Sequence, residues 1–169
     1  MPAPSRTRWP LAMVATVLLV VVGCGRAPEQ SSSAAGTGRV VRVVDGDTVV
    51  VDVGGNDEHV RLLGIDTPES VDPRSPVECF GKEAALRTTA LLPPGTEVRL
   101  VRDVEARDRY SRLLAYVYRV DDGTFVNLAL VSEGYASVLT YPPNVAHAEE
   151  LRAAAAEARD EGRGLWSAC

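Results

Sequence analysis

Two acidic clusters and two arginines carry the residue types from which a reaction could be built. Asp45-Gly46-Asp47-Thr48 sets two carboxylates two positions apart, on one side of the chain if the backbone is extended. Arg61-Leu62-Leu63-Gly64-Ile65-Asp66-Thr67-Pro68-Glu69 follows, with two more carboxylates around a stiff Thr-Pro step. The carboxylates of both clusters are hard oxygen donors, the kind a divalent cation takes, and the Thr67 carbonyl adds another oxygen. A guanidinium beside such a site suits a phosphate group. A third cluster, Arg107-Asp108-Arg109-Tyr110-Ser111-Arg112-Leu113-Leu114-Ala115-Tyr116, supplies a second arginine at the head of a strand-like run. The chemistry these groups would serve is metal-assisted cleavage of a phosphodiester. Singly each cluster has a plainer reading, since Asp-Gly is a common turn and an Arg–Asp pair a common surface contact.

Positioning these groups needs a rigid frame. Valine-rich runs at 39–44 and 48–53, a run at 59–63, the alternating segment 96–101 and the apolar run 113–120 predict five strands. Asp45-Gly46, Gly54-Gly55-Asn56-Asp57 and Asp121-Asp122-Gly123 are the turn signals between them. The composition of 81–92, stopped by Pro93-Pro94-Gly95, predicts a helix between the third and fourth strands. Two more are expected at 126–133 and 147–161, the last with Asn144 as N-cap and Gly162 at its stop. Trp166 is expected to anchor the chain after it. Five short strands with three helices fit an α+β domain built on a five-stranded OB-fold β-barrel.

The ends of the chain are different in kind. Arg6 and Arg8 precede an apolar run, Trp9 to Val22, which has the layout of a secretory signal. Val21-Val22-Gly23-Cys24 resembles the bacterial lipoprotein box, which implies cleavage before Cys24 and lipidation of that cysteine. Residues 24–37 are rich in Ser, Ala, Gly, Pro and Gln and predict a flexible tether. The expected organisation is therefore a signal peptide at 1–23, a tether at 24–37 and a folded domain at 38–169, exported and held at the outer face of the membrane. Loss of residues 1–23 would take the formal charge from −5 to −7. That charge counts against broad electrostatic attraction to nucleic acid, and basic groups must act locally if the substrate is a polyanion. Cys79 and Cys169 remain as an even pair in an exported chain, where a disulfide persists. His59 and His147 are isolated and form no ligand set.

The three clusters, taken in order, resemble the thermonuclease, or staphylococcal-nuclease-like, family. Phe125-Val126-Asn127 with Leu130-Val131 and Glu133-Gly134, and then Gly164-Leu165-Trp166, continue the likeness over roughly residues 38 to 167. The resemblance implies that Asp47, Asp66 and the carbonyl of Thr67 hold Ca2+, with Asp45 behind them. It implies that Arg61 and Arg112 grip the phosphate and that Glu69 acts on water, as base or as orienting group. Arg109 and Tyr110 would contact the substrate, Tyr110 by stacking on a base. The implied reaction is hydrolysis of single-stranded or flexible DNA and RNA at the 5′-oxygen, leaving 3′-phosphates, by a monomer. Thr140 and Pro142, with Tyr141 between them, are expected where the family carries further substrate-contacting tyrosines. A rival reading keeps the barrel as a non-catalytic binding module for nucleic acid or protein.

Overall fold

The computed structural model describes residues 34–70 and 76–169. The signal segment, Cys24 and the tether up to residue 33 lie outside the described residues. Among the described residues no helix is long and apolar enough to cross a membrane.

β1 (Ala34–Asp45), β2 (Thr48–Val53) and β3 (Asn56–Leu62) form an antiparallel meander. β4 (Ile65–Asp66) leaves it, α1 (Gly81–Leu91) crosses, and β5 (Glu97–Val101) and β6 (Leu113–Arg119) complete a closed barrel in the order β1-β2-β3-β6-β5. The barrel closes because β1 is long enough to pair twice, with β2 through its second half and with β5 through its first. Register shifts between Val40 and Arg42 and between Val43 and Asp45 bend it for the purpose. α2 (Val126–Ser132), β7 (Ser137–Val138), α3 (Ala148–Asp160) and a single turn, α4 (Leu165–Ala168), follow. Val49, Val51, Val60, Leu62, Val98, Leu100 and Val117 fill the barrel, and Leu130 and Leu151 seal it from the helices. Gly64, at φ +79°, lets α3 close in: a Cβ there would meet Leu151 Cδ1 at 2.5 Å.

The five strands and three longer helices match the expected fold, with four corrections. β1 includes residues 34–38, ahead of the strand expected at 39–44, because Ala34, Gly36 and Thr37 pair with Val101, Leu100 and Arg99; backbone ladders do not need bulky side chains. β3 begins at Asn56, not residue 59, because Gly54 (φ +64°) and Gly55 (φ +88°) alone make the turn. The two-residue strands β4 and β7 pair with each other, too short to leave a periodic signature. Asn144 does not cap α3, whose preceding residue is His147; its side chain instead holds the backbone of Glu105, accepting from N at 2.8 Å and donating to O at 3.3 Å. Trp166 is half-buried after α3, with the guanidinium carbon of Arg159 lying 4.2 Å from its ring centroid.

Cys79 and Cys169 come together with Cα atoms 6.0 Å apart and their sulfurs within bonding distance. Asn127, fully buried, donates to Leu63 O (2.8 Å) and accepts from Val117 N (2.9 Å). It ties the turn after β3 to β6.

Candidate active site

The Asp45–Thr48 turn between β1 and β2 is pinned from three sides. Leu62 N donates to Asp47 O (2.9 Å), and Thr88 of α1 donates its hydroxyl to Gly46 O (2.6 Å). Gly46 lies flush against Thr67, whose Oγ1 would sit 2.6 Å from a Cβ at position 46. The Thr67 amide in turn donates to Asp47 Oδ2 (3.1 Å), while Thr48 Oγ1 donates to Oδ1 (3.0 Å). The two acidic clusters are thus one packed unit.

Arg61 links their carboxylates. One terminal nitrogen meets Asp47 Oδ2 at 2.7 Å and the other meets Asp66 Oδ1 at 2.9 Å, with the arginine side chain only 12 % exposed. Asp66 is held above the ordinary carboxylate range, chiefly by burial and further by the negative charges of Asp47 and Glu78, against the opposing pull of Arg61. Asp45 is raised too, first by burial; Ser70 and the Gly46 amide oppose this, and the Glu69 carboxyl adds to it. The Ser70 hydroxyl donates to Asp45 at 2.5 Å. Asp45 therefore faces Glu69 and Ser70.

Arg112 reaches this cleft through strand pairing. β3 and β6 run parallel, with Val60 opposite Leu113 and Arg61 opposite Leu114, so Arg112, two residues before Leu114, enters the same cleft as Arg61. Asp108 fixes it: Arg112 Nε donates to Oδ2 at 2.7 Å, and the amides of Tyr110 and Arg112 donate to Oδ1 at 2.9 and 3.0 Å. Ser111, at φ +64°, makes the sharp turn that brings both amides round. Asp108 stands below its usual range, since these bonds and the charge of Arg112 outweigh the upward push of burial.

Asp45, Asp47, Asp66, Glu69, Arg61 and Arg112 line one cleft of about 530 Å³, together with Thr67, His59 and Glu78. His59 and Glu78 had no signal in the sequence. His59 is there because it alternates with Arg61 on β3. Glu78 arrives by reciprocal bonding, its Oε2 accepting from Glu69 N (3.0 Å) and its N donating to Glu69 O (2.9 Å). A smaller groove of about 190 Å³ adjoins, sharing Arg61 and Arg112 and lined by Arg109, Tyr110, Leu139 and Tyr141. Arg109 donates to the Tyr110 hydroxyl (2.7 Å), and the Tyr110 ring is 64 % exposed. Here the expectation for the later aromatic positions is corrected by one place. Leu139 and Tyr141 face the groove, while Thr140 meets Arg152 (3.4 Å).

The donor set suits a hard cation. Five carboxylates line the cleft against two guanidiniums, so an anionic phosphodiester entering it meets an excess of negative charge. Asp47 and Asp66 converge, the Thr67 carbonyl belongs to the same turn, and Thr67 Oγ1 is buried with no partner. Among the described residues no third acidic, histidine or cysteine side chain completes a cage around them, and Arg61 is the cation that now joins the two aspartates.

Comparison with known proteins agrees with this geometry. The family model described as staphylococcal nuclease homologue matches residues 59–168, which hold Arg61, Asp66, Thr67, Glu69 and Arg112. The thermonuclease of Staphylococcus intermedius is 38 % identical over 157 residues, 92 % of this chain and 92 % of that protein. Coverage of that extent necessarily takes in Asp45 and Asp47. The thermonuclease of Staphylococcus hyicus is 40 % identical over 131 residues, 78 % of this chain and 76 % of its own. Endonuclease YncB of Bacillus subtilis is 39 % identical over 128 residues, 75 % of this chain and 59 % of its own. With the closed barrel and the clusters in the same chain order, the chain belongs to the staphylococcal nuclease homologue family.

Proposed function

We propose that this protein is a calcium-dependent nuclease that hydrolyses phosphodiester bonds of DNA and RNA at the 5′-oxygen and leaves 3′-phosphate ends. The observation that carries the reading is that Arg61 on β3 and Arg112, just ahead of the parallel strand β6, line one cleft together with Asp47, Asp66 and Glu69. Asp47, Asp66 and the Thr67 carbonyl would hold Ca2+, which when bound offsets the charge of the phosphate and polarises water. Arg61 and Arg112 bind the non-bridging phosphate oxygens and stabilise the added negative charge of the transition state. They remain protonated throughout, so they act by charge and not by proton donation. Glu69 orients the attacking water or takes its proton. As the new O–P bond forms, the bond from phosphorus to the 5′-oxygen breaks, and that oxygen takes its proton from solvent. Arg109, Tyr110 and Tyr141 line the groove where a neighbouring nucleotide would lie, and Tyr110 offers a face for stacking.

A binding module would have no use for Glu69 poised beside the same cleft as both arginines. The test is digestion of single-stranded DNA and of RNA by the purified protein, with calcium and with chelator. Calcium-dependent cleavage is expected, with products that a polymerase extends only after phosphatase treatment. Tight binding without cleavage would favour the module.

The same reading makes the protein an exported lipoprotein. Lipidated Cys24 holds it at the outer membrane face, and the domain acts as a monomer on nucleic acid outside the cell. Cys24→Ala should move the protein from the membrane fraction to the soluble one. The Cys79–Cys169 bond belongs to this picture, and non-reducing peptide mass analysis should find the two peptides linked.

A further inference from the structure

Glu69 is held from behind by a short segment, 78–81, every residue of which has a separate task. Glu78 bonds both backbone groups of Glu69. Gly81 lies so close that a Cβ there would meet Glu69 O at 2.6 Å. Between them Phe80 adopts φ +67°, a left-handed conformation that a bulky side chain keeps only when its surroundings enforce it. Its ring packs on Tyr135, centroids 5.3 Å apart. Cys79 is the remaining member, and its partner is the last residue of the chain. That residue is itself fixed, because α4 docks on the end of α2 through Leu165 N to Gly134 O (2.9 Å), where Gly164 and Gly134 pack backbone to backbone.

We propose that the Cys79–Cys169 disulfide positions Glu69, by tying the segment that buttresses its backbone to the docked C-terminus, and that its reduction lowers turnover without unfolding the barrel. The barrel and α1–α3 contain no other cysteine, and both partners of this pair are exposed, so a small dithiol can reach the bond. The dithiol attacks one sulfur as thiolate and forms a mixed disulfide; its second thiol then closes its own ring. Cys79 and Cys169 gain two electrons and two protons, and the reductant becomes a cyclic disulfide. Released, the 78–81 segment loses its tether, Phe80 relaxes, and the Glu69 carboxyl drifts relative to Arg61 and Arg112. Misplacement by about 1 Å is enough to cost on the order of a hundredfold in rate.

The proposal rests on Glu69 acting in catalysis, and the experiment separates the two. The purified full chain is assayed on single-stranded DNA, oxidised and after dithiothreitol, beside Cys169→Ser and Glu69→Gln. Reduction and Cys169→Ser should each lower kcat at least about tenfold with KM changed less than about threefold, in line with a displaced catalytic group. Circular dichroism should show a folded protein at the assay temperature, and oxidised glutathione should restore the reduced wild type. In the Glu69→Gln background reduction should cause no further loss. Unchanged kcat after reduction, an equal further loss in the Glu69→Gln background, or loss of the native circular dichroism would each overturn the proposal. An active oxidised wild type in those cases leaves the nuclease reading intact, whereas an inactive one removes both.

Discussion

Alanine at position 46 would place a methyl group 2.6 Å from Thr67 Oγ1, 2.8 Å from its Cβ and 2.9 Å from its Cγ2. The backbone at Gly46 does not lie in the left-handed region, so the whole cost is steric. Thr67 is almost completely buried and cannot swing into solvent. It must move by several tenths of an ångström, taking with it the amide that holds Asp47. Overpacking of this kind costs about 1–3 kcal/mol, or roughly 3–9 °C in Tm for a domain of this size. The effect on rate should be larger than the effect on stability, because Asp47 and Asp66 are brought together through this contact, and a shift of about 1 Å can cost a hundredfold. Scanning calorimetry and initial rates on single-stranded DNA measure the two effects. Thr67→Ala in the same background removes Oγ1 and Cγ2 and should recover about 1 kcal/mol, a coupling expected only of residues in contact. Gly46→Ala with wild-type Tm and a rate within about twofold of wild type would refute the idea that the two acidic turns are one packed unit.

Glu69→Gln and Arg112→Ala should each lower the rate at least about a hundredfold, the scale for a removed acid–base or charge-stabilising group; near-normal turnover in either would remove that residue from the chemistry. Asn127→Ala leaves Leu63 O and Val117 N unpaired in the core and should cost about 2–4 kcal/mol, read from urea midpoints. Asp108 has a depressed folded value, so the stability it contributes is complete above its unfolded value near 4 and is lost as pH falls through the folded one. The stability gap between wild type and Asp108→Asn should accordingly be constant above about pH 5 and close below it. A gap that persists to the acid limit of the folded protein would show that the Arg112 contact does not depend on this charge.

Local pattern carried the frame of this protein. Runs of β-branched residues bounded by Asp-Gly and Gly-Gly marked four strands, and Pro93-Pro94-Gly95 and Gly162 marked helix ends, because strand and turn preferences act over a few residues. The same locality explains the misses. Residues 34–37 look like tether until β5 lies alongside them, and Asn144 looks like a cap until Glu105 offers it a backbone. Chemical type also singled out Asp47, Asp66, Arg61, Glu69 and Arg112, since few side chains suit a hard cation and a phosphate. What only the tertiary structure decided is who meets whom. Parallel pairing of β3 with β6 brings Arg112 into the same cleft as Arg61, and the two-glycine turn sets the register that sends His59 into it. Just ahead of α1, Glu78 folds back on the backbone of Glu69, and Cys169 meets the neighbouring Cys79. These are distances across the barrel, fixed by register and packing, and a residue's own neighbours in sequence hold no record of them.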